Sequence, residues 1–281
     1  MMRTWVFAMV VLCALGGCTK RPQGLKADVL LPFTPVKSQD TTQVCWAYAM
    51  LSTIETEHIV RGDSVHLSVP FVYRAMEQDT EAPSSKRGMG ITAVNLIQRH
   101  GLVPYDAMRS IDTPRPRLAF MYGVEYTLQE FARSVCAPDE YIGLMSDDDE
   151  PYGEMVVPQW KDNWEQNALL NMPMDSLLVI AERAINTGHG VCWEGDISER
   201  GFNWQEGYAV DSWWNGRTTD DHCMAIVGLG HDDAGEHYFI MKNSWGTKNP
   251  YEGLMFLSYG YFMKKTVAVF LNKDLICSDA R

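Results

Sequence analysis

The spacing of apolar residues changes halfway along the chain, and this change limits the folds open to it. Three early segments carry apolar side chains at helical spacing, at 46–54, 67–76 and 91–100. A fourth helix is predicted at 173–187. Short apolar runs typical of strands follow it, at 191–193, 222–229, 238–243, 254–258 and 267–271. A helical half followed by a strand-rich half predicts an α+β fold whose two lobes face each other across a cleft.

A cysteine stands at the start of the first predicted helix. Cys45 is followed by Trp46 and preceded, six residues earlier, by Gln39. The positive end of the helix dipole favours thiolate at that position, which lowers the pKa of a cysteine. A glutamine amide brought back over the helix start can donate to an oxyanion beside the sulfur. An inert cysteine in a core helix is the competing interpretation, so a histidine base must be found elsewhere.

Among the seven histidines, His222 is the best placed to serve as that base. It opens an apolar strand directly after Asp221, and the next strand ends in Asn243-Ser244-Trp245-Gly246. Pairing centred on the loop at 231–236 places residue 222 opposite residues 244–246. Asn243 can then orient the imidazole, and Trp245 can shield their hydrogen bond from water.

These residues, in this order, resemble the papain-like cysteine peptidases. The resemblance implies a papain fold, with Cys45 as nucleophile on one lobe and His222 and Asn243 on the other. It also implies an oxyanion hole made by Gln39 and the Cys45 amide, a peptide or protein substrate, and no metal or other cofactor. The similarity is greatest to the bleomycin hydrolase and aminopeptidase C branch, on the runs at 88–101, 140–145, 171–178 and 191–198 and the closing AVFLNKD.

Several residues are expected to contact substrate. Gly88 and Gly90 precede a predicted helix, where glycines either punctuate the chain or allow substrate backbone to approach closely. Trp46, Asp221 and Trp245 adjoin the three catalytic positions and are further candidates.

The chain also departs from the family pattern. Asp40 replaces a glycine after the glutamine, and the cysteine of a local disulfide is absent. In aminopeptidases of the branch the chain terminus occupies one end of the cleft, whereas this tail runs on to Arg281. Internal and amino-terminal cleavage therefore both stay open.

The first residues resemble a bacterial lipoprotein signal. Arg3 precedes an apolar run too short to span a bilayer, and Leu15-Gly16-Gly17-Cys18 resembles a lipobox. This predicts a signal peptide at 1–17, lipidation of Cys18, a tether at 18–34 and a peptidase domain at 35–281. The protein would then be anchored by lipid in the bacterial cell envelope, on the periplasmic or surface face. An ordinary signal peptide with a chance cysteine is the alternative.

Charge and cysteine count narrow the remaining function classes. The formal charge of -12 argues against nucleic-acid binding. Besides Cys45, four cysteines would remain in the lipidated chain, and at most one disulfide is expected among Cys136, Cys192, Cys223 and Cys277. The oligomeric state stays open.

Two other functions are alternatives to a peptidase. One is a peptide-binding or adhesion lipoprotein that keeps the fold without turnover. The other is a metal site on His222, Cys223, His231 and His237, whose spacing lacks a CxxC or HExxH core.

Overall fold

A computed structural model describes residues 21–211, 218–219 and 222–277. The helices are Cys45–Val60 (α1), Val69–Gln78 (α2), Gly90–His100 (α3), Leu128–Val135 (α4), Met174–Asn186 (α5), Tyr259–Lys265 (α6) and Asp274–Cys277 (α7). The strands are Lys26–Leu30 (β1), Leu118–Met121 (β2), Val124–Thr127 (β3), Tyr141–Met145 (β4), Met155–Val156 (β5), Leu169–Asn171 (β6), Val191–Gly195 (β7), Phe202–Asn203 (β8), Tyr208–Ala209 (β9), His222–His231 (β10), His237–Lys242 (β11), Leu254–Ser258 (β12) and Thr266–Asn272 (β13). The predicted strands and the helices α2, α3 and α5 are all present, with ends within two residues of those predicted.

One large sheet forms the frame of the molecule. Its strands follow the order β5-β6-β4-β13-β7-β10-β11-β12-β9-β8, and β1 pairs separately with β10. Strands β2 and β3 form a hairpin of their own. The sequence did not predict β4 to β6, which come from the part of the chain with the weakest periodicity.

The sheet separates two apolar cores. Along β7, Cys192 packs with the core that includes α1 to α4, while Val191 and Trp193 pack with the core under α5 and α6. Successive strand residues point to opposite faces, so one buried strand serves both cores. The mixed arrangement of helices around a sheet confirms the predicted α+β class.

Helix α1 lies in the interior along most of its length. Residues 49–58 are all buried, and α1 packs against β10 and β7 as well as α3. His58, near the end of this helix, is also buried. Its ring lies 3.0 Å from the Val135 carbonyl oxygen and 3.1 Å from Asp63. A helix enclosed on this many sides is a rigid support for its first residue, Cys45.

The predicted tether was wrong in its second half. Residues 26–30 form β1, which pairs antiparallel with the far end of β10, Lys26 opposite His231 and Leu30 opposite Gly228. The strand is mostly exposed, so it lacks the apolar alternation that would have identified it. Residues 1–17 and Cys18 lie outside the described residues. None of the helices in the described ranges is long and apolar enough to span a membrane.

Candidate active site

Cys45 is the first residue of α1. The preceding residue, Val44, provides no side-chain cap. The first N–H groups of a helix have no intrahelical acceptor, so the Cys45 amide is free to bind an anion by its position in the helix. Cys45 is only partly buried, and it lines a cavity at the start of α1.

Two residues of β10 lower the pKa of Cys45 well below its ordinary value. The largest cause is a hydrogen bond from the Cys223 thiol, and burial opposes it. The charge of His222 and a hydrogen bond with its ring lower the pKa further, as does the Cys223 backbone amide. The surroundings therefore favour the thiolate, the nucleophilic form of cysteine.

His222 is oriented by Asn243. The ring Nε2 lies 2.8 Å from Asn243 Oδ1, and both side chains are buried. With Nε2 engaged, Nδ1 is the ring nitrogen left for the Cys45 sulfur. The His222 ring also lies 4.7 Å from the Trp245 ring, between centroids. The strand pairing predicted from the loop at 231–236 is confirmed, with Ala225 opposite Lys242.

Gln39 is held beside the cleft by three hydrogen bonds. Its Oε1 accepts from the Ser244 hydroxyl at 2.5 Å, and its Nε2 donates to the Thr42 carbonyl at 2.7 Å. Its backbone amide donates to the Ser244 carbonyl at 2.7 Å. The amide group has two N–H bonds, so one remains for a substrate oxygen.

Asp40 takes the conformation that a glycine would supply. Its φ is +51°, in the left-handed region, which aspartate tolerates better than most residues. The Ser38 hydroxyl donates to the Asp40 carboxylate at 2.8 Å, and the Thr42 hydroxyl donates to the Gln39 carbonyl at 2.6 Å. Together these bonds form the turn that brings Gln39 back over the start of α1.

A cavity of about 170 Å³ joins these groups. It is lined by Gln39, Thr42, Gln43, Cys45, Trp46, Arg87, Gly88, Asp162, Ile197, His222, Cys223 and Trp245. Trp46, Gly88 and Trp245, which the sequence predicts to contact substrate, thus line this cavity. Trp46 is itself buried, and its Nε1 donates to the Lys86 carbonyl at 3.1 Å. Asp221 lies outside the described residues.

Gly90 does not lie at the substrate rim, and that prediction was wrong. It begins α3 in the core, where an added Cβ would lie 2.5 Å from Phe270 and 2.8 Å from the Cys192 sulfur. The glycine is needed for close packing of α3 on the sheet, not for close approach of substrate.

Sequence reasoning missed two features of the cavity wall. Arg87 donates to Asp162 through its Nε at 2.8 and 3.0 Å and also through Nη2. These residues are 75 positions apart, so no local pattern links them. The other feature is Cys223. Its position directly after His222 would have indicated that it lies close to the active site.

The four residues of the alternative metal site are not assembled in one place: His231 lies opposite His237, but both are far from His222 and Cys223. His222 and His231 lie at opposite ends of β10, about 30 Å apart at roughly 3.3 Å per residue. No cluster of three metal-ligating side chains occurs within the described ranges. Cys45, Cys136, Cys192 and Cys223 are free thiols, while the Cys277 side chain is outside the described part.

The chain is similar in sequence to two curated proteins. The chain is 24% identical to chymopapain from Carica papaya over 247 residues, covering 84% of this chain and 55% of that protein. It is 24% identical to aminopeptidase W from Lactobacillus delbrueckii subsp. lactis over 168 residues, covering 51% and 38%. The chain therefore spans about half or less of the length of these curated relatives.

Solved structures show the same fold. PepW from Lactobacillus rhamnosis HN001 superposes with a TM-score of 0.68 at 16% identity, covering 91% of this chain and 85% of that one. Bromelain from Ananas comosus, in complex with the E64 inhibitor, gives 0.52 at 17% identity, covering 85% and 94%. Residues 26–268 match the family described as "Papain family cysteine protease". A match over this much of the chain shows that it belongs to the papain family of cysteine proteases.

Proposed function

We propose that this protein hydrolyses peptide bonds through a thioester on Cys45. The observation that carries the proposal is one cavity lined by a helix-start cysteine, a histidine bonded to asparagine, and a glutamine amide. Each of these groups has a distinct task in acyl transfer, and hydrogen bonds hold the His222 and Gln39 side chains in place.

The first half of the reaction forms the thioester. The Cys45 thiolate attacks the carbonyl carbon of the substrate, and the carbonyl oxygen gains the negative charge. The Cys45 amide and the free N–H of Gln39 Nε2 stabilise that charge. Protonated His222 then donates its Nδ1 proton to the departing amine as the C–N bond breaks.

The second half releases the acyl group. Neutral His222 takes a proton from water, and the resulting hydroxide attacks the thioester carbon. The C–S bond breaks, the Cys45 thiolate re-forms beside the imidazolium, and the carboxylic acid leaves. Asn243 keeps the His222 ring in one orientation through both proton transfers. Trp245 covers the hydrogen bond between His222 and Asn243.

An alkylator and one substitution test the proposal. Cys45→Ala, or treatment with an epoxysuccinyl inhibitor, should abolish hydrolysis of a fluorogenic peptide. Cys136→Ala is the matched control, since Cys136 is a buried thiol that does not line the cavity. Activity that survives loss of the Cys45 sulfur would exclude the mechanism. A native protein that binds peptide but never cleaves it would favour the catalytically silent peptide-binding alternative.

We also infer that the enzyme removes residues from free amino termini. The support is its similarity to proteins named aminopeptidase W and PepW. One peptide library offered with free and with acetylated amino termini tests this. Cleavage of the free peptides alone would support an aminopeptidase, and equal cleavage inside both sets would show an endopeptidase.

The proposed location is the bacterial envelope, with lipid on Cys18. The lipobox-like sequence supports this proposal. Expression in a bacterial host should give a membrane-bound protein whose amino-terminal peptide carries acyl mass. Cys18→Ala should release the protein into the soluble fraction. A wild-type protein without acyl mass would favour the ordinary signal peptide.

A further inference from the structure

A second thiol lies in the candidate active site. Cys223 follows His222 on β10, and neighbouring residues of a strand point to opposite faces. Cys223 packs in the core of α1 to α4, is 3% exposed, and still lines the cavity that contains Cys45. It also lines a small cavity behind the site, with Ala49 and Ser52 of α1. Cys223 is therefore enclosed between β10 and the first turns of α1.

Cys223 and His222 are neighbours on β10 and line the same cavity as Cys45. Hydrogen bonding by the Cys223 thiol is the largest cause of the lowered pKa of Cys45, and His222 and the Cys223 backbone amide lower it further. Hydrogen bonds to an ionised acceptor are stronger than those between neutral groups, so each favours the charged sulfur.

The surroundings decide which of the two sulfurs keeps a proton. Burial is the largest cause that raises the pKa of Cys223 well above its ordinary value, and the Cys45 sulfur and Glu194 add to it. Glu194 lies opposite Cys223 on β7 and is buried. The titratable or charged groups near the pair are His222, Cys192, Glu194, Arg87 and Asp162. Cys223 therefore stays a thiol and acts as the donor.

We propose that Cys223 is a positioning residue, whose S–H hydrogen bond holds the Cys45 sulfur as a thiolate aimed into the cleft. The competing role is that of a small core residue that only fills space beside α1. The inference rests on the proposed function for its purpose, because it concerns the same sulfur. Its physical content, an S–H donor to a thiolate, is measurable without any peptide substrate.

The rate of Cys45 alkylation by iodoacetamide, followed against pH with mass spectrometry to identify the modified residue, tests the proposal. Cys223→Ala and Cys223→Val both remove the donor, and valine keeps most of the volume. Both should move the inflection of the profile up by about one pH unit, so that Cys45 reacts about tenfold more slowly below it. Cys223→Ser keeps an O–H donor and should give a profile close to that of the wild type. Cys136→Ala is the control for a buried thiol outside the cavity.

A structural role predicts a different pattern. If Cys223 only fills space, valine should match the wild-type profile, whatever alanine does to stability, and that result would overturn the proposal. A Cys223→Ser profile that matches the alanine variant would overturn it as well. Should the alanine variant fail to fold, the valine and serine variants still decide between the two roles. If the alkylation profiles are as expected but the protein does not hydrolyse peptides, the role of Cys223 as donor would be supported. That result would count only against the proposed peptidase activity.

Discussion

The ammonium group of Lys242 lies 4.0 Å from the carboxylate of Glu55, and both side chains are buried. Glu55 belongs to α1, which begins at Cys45, and Lys242 directly precedes Asn243. Lys242 donates to the Thr34 hydroxyl at 2.9 Å and to the Ser52 hydroxyl at 3.0 Å. This polar group therefore joins the element that carries the nucleophile to the one that orients the base.

Glu55→Gln should destabilise the fold by about 3 kcal/mol. The Glu55 carboxylate is 1% exposed and compensates the positive charges of Lys242 and Lys37. It also accepts hydrogen bonds from the Thr34 hydroxyl and, at 2.7 Å, from the Leu67 amide. Removing one partner of a buried ion pair leaves an uncompensated buried charge. Urea denaturation measures the change. Glu77→Gln, in an exposed pair with Arg74, should cost less than about 0.5 kcal/mol, and equal losses would contradict the argument.

The stability contributed by Lys242 should rise with pH. Burial lowers the pKa of Lys242 from 10.5 to about 8, with Lys37 lowering it further and Glu55 raising it. Between these values the unfolded chain binds more protons than the folded one, so raising the pH favours the folded protein. Below pH 8 both states are protonated, and the cost of burying the charge is constant.

Comparison with Lys242→Met isolates this effect, because the other titrating groups are shared. Relative to that variant, the wild type should gain on the order of 3 kcal/mol of unfolding free energy between pH 8 and 10.5. Urea denaturation at intervals across this range measures the gain. Parallel pH profiles for the two proteins would show that folding does not lower the pKa of Lys242.

Gly90→Ala and Gly88→Ala should have different effects. A Cβ at Gly90 would lie too close to Phe270 and to Cys192, which should destabilise the protein by about 1–3 kcal/mol through overpacking. A Cβ at Gly88 would meet only the Thr92 side chain at 3.1–3.2 Å, beside the cavity. That variant should keep its stability and raise KM. Thermal denaturation together with peptide kinetics separates the two, and equal stability losses would contradict the assignment.

Gln39→Ala should lower kcat about 100- to 1000-fold with little change in KM, because it removes a donor to the oxyanion. Ser244→Ala removes the hydroxyl that orients Gln39 and leaves the amide in place, so its loss should be smaller. Gln129→Ala, on the exposed side of α4, serves as the control. A Ser244 variant as impaired as the Gln39 variant would mean that orientation of Gln39, and not its donor, limits the rate.

Local patterns predicted four of the seven helices and five of the thirteen strands in the described residues, together with the residues around Cys45. Helical and strand periodicity is a property of neighbouring residues, and the loop at 231–236 fixes the partner of His222 almost by symmetry. Ser68 is a local signal of the same kind, since it directly precedes α2 and caps that helix, accepting from the Phe71 amide at 3.1 Å.

Contacts between distant segments could not be predicted in this way. Glu55 pairs with Lys242, and Arg87 with Asp162, only because the fold brings these distant residues together. Strand β1 gains its hydrogen bonds from β10, so its own residues carry no strand signal. Gly90 shows a further limit of sequence-based prediction. The sequence does not distinguish a glycine required for close packing from a glycine required for close approach of substrate.

The pairing of β10 also determines where related chains can differ in length. Loss of one residue between Cys223 and Ile226 would exchange the faces to which His222 and Cys223 point. The β-bulge that falls between Ile226 and Gly228 opposite β11 already holds one extra residue, so a deletion there would leave the pairing of His222 in place. Insertions in the loop at 232–236 should likewise leave the pairing of His222 in place. Variation in length among relatives should therefore be confined to these two places along the hairpin.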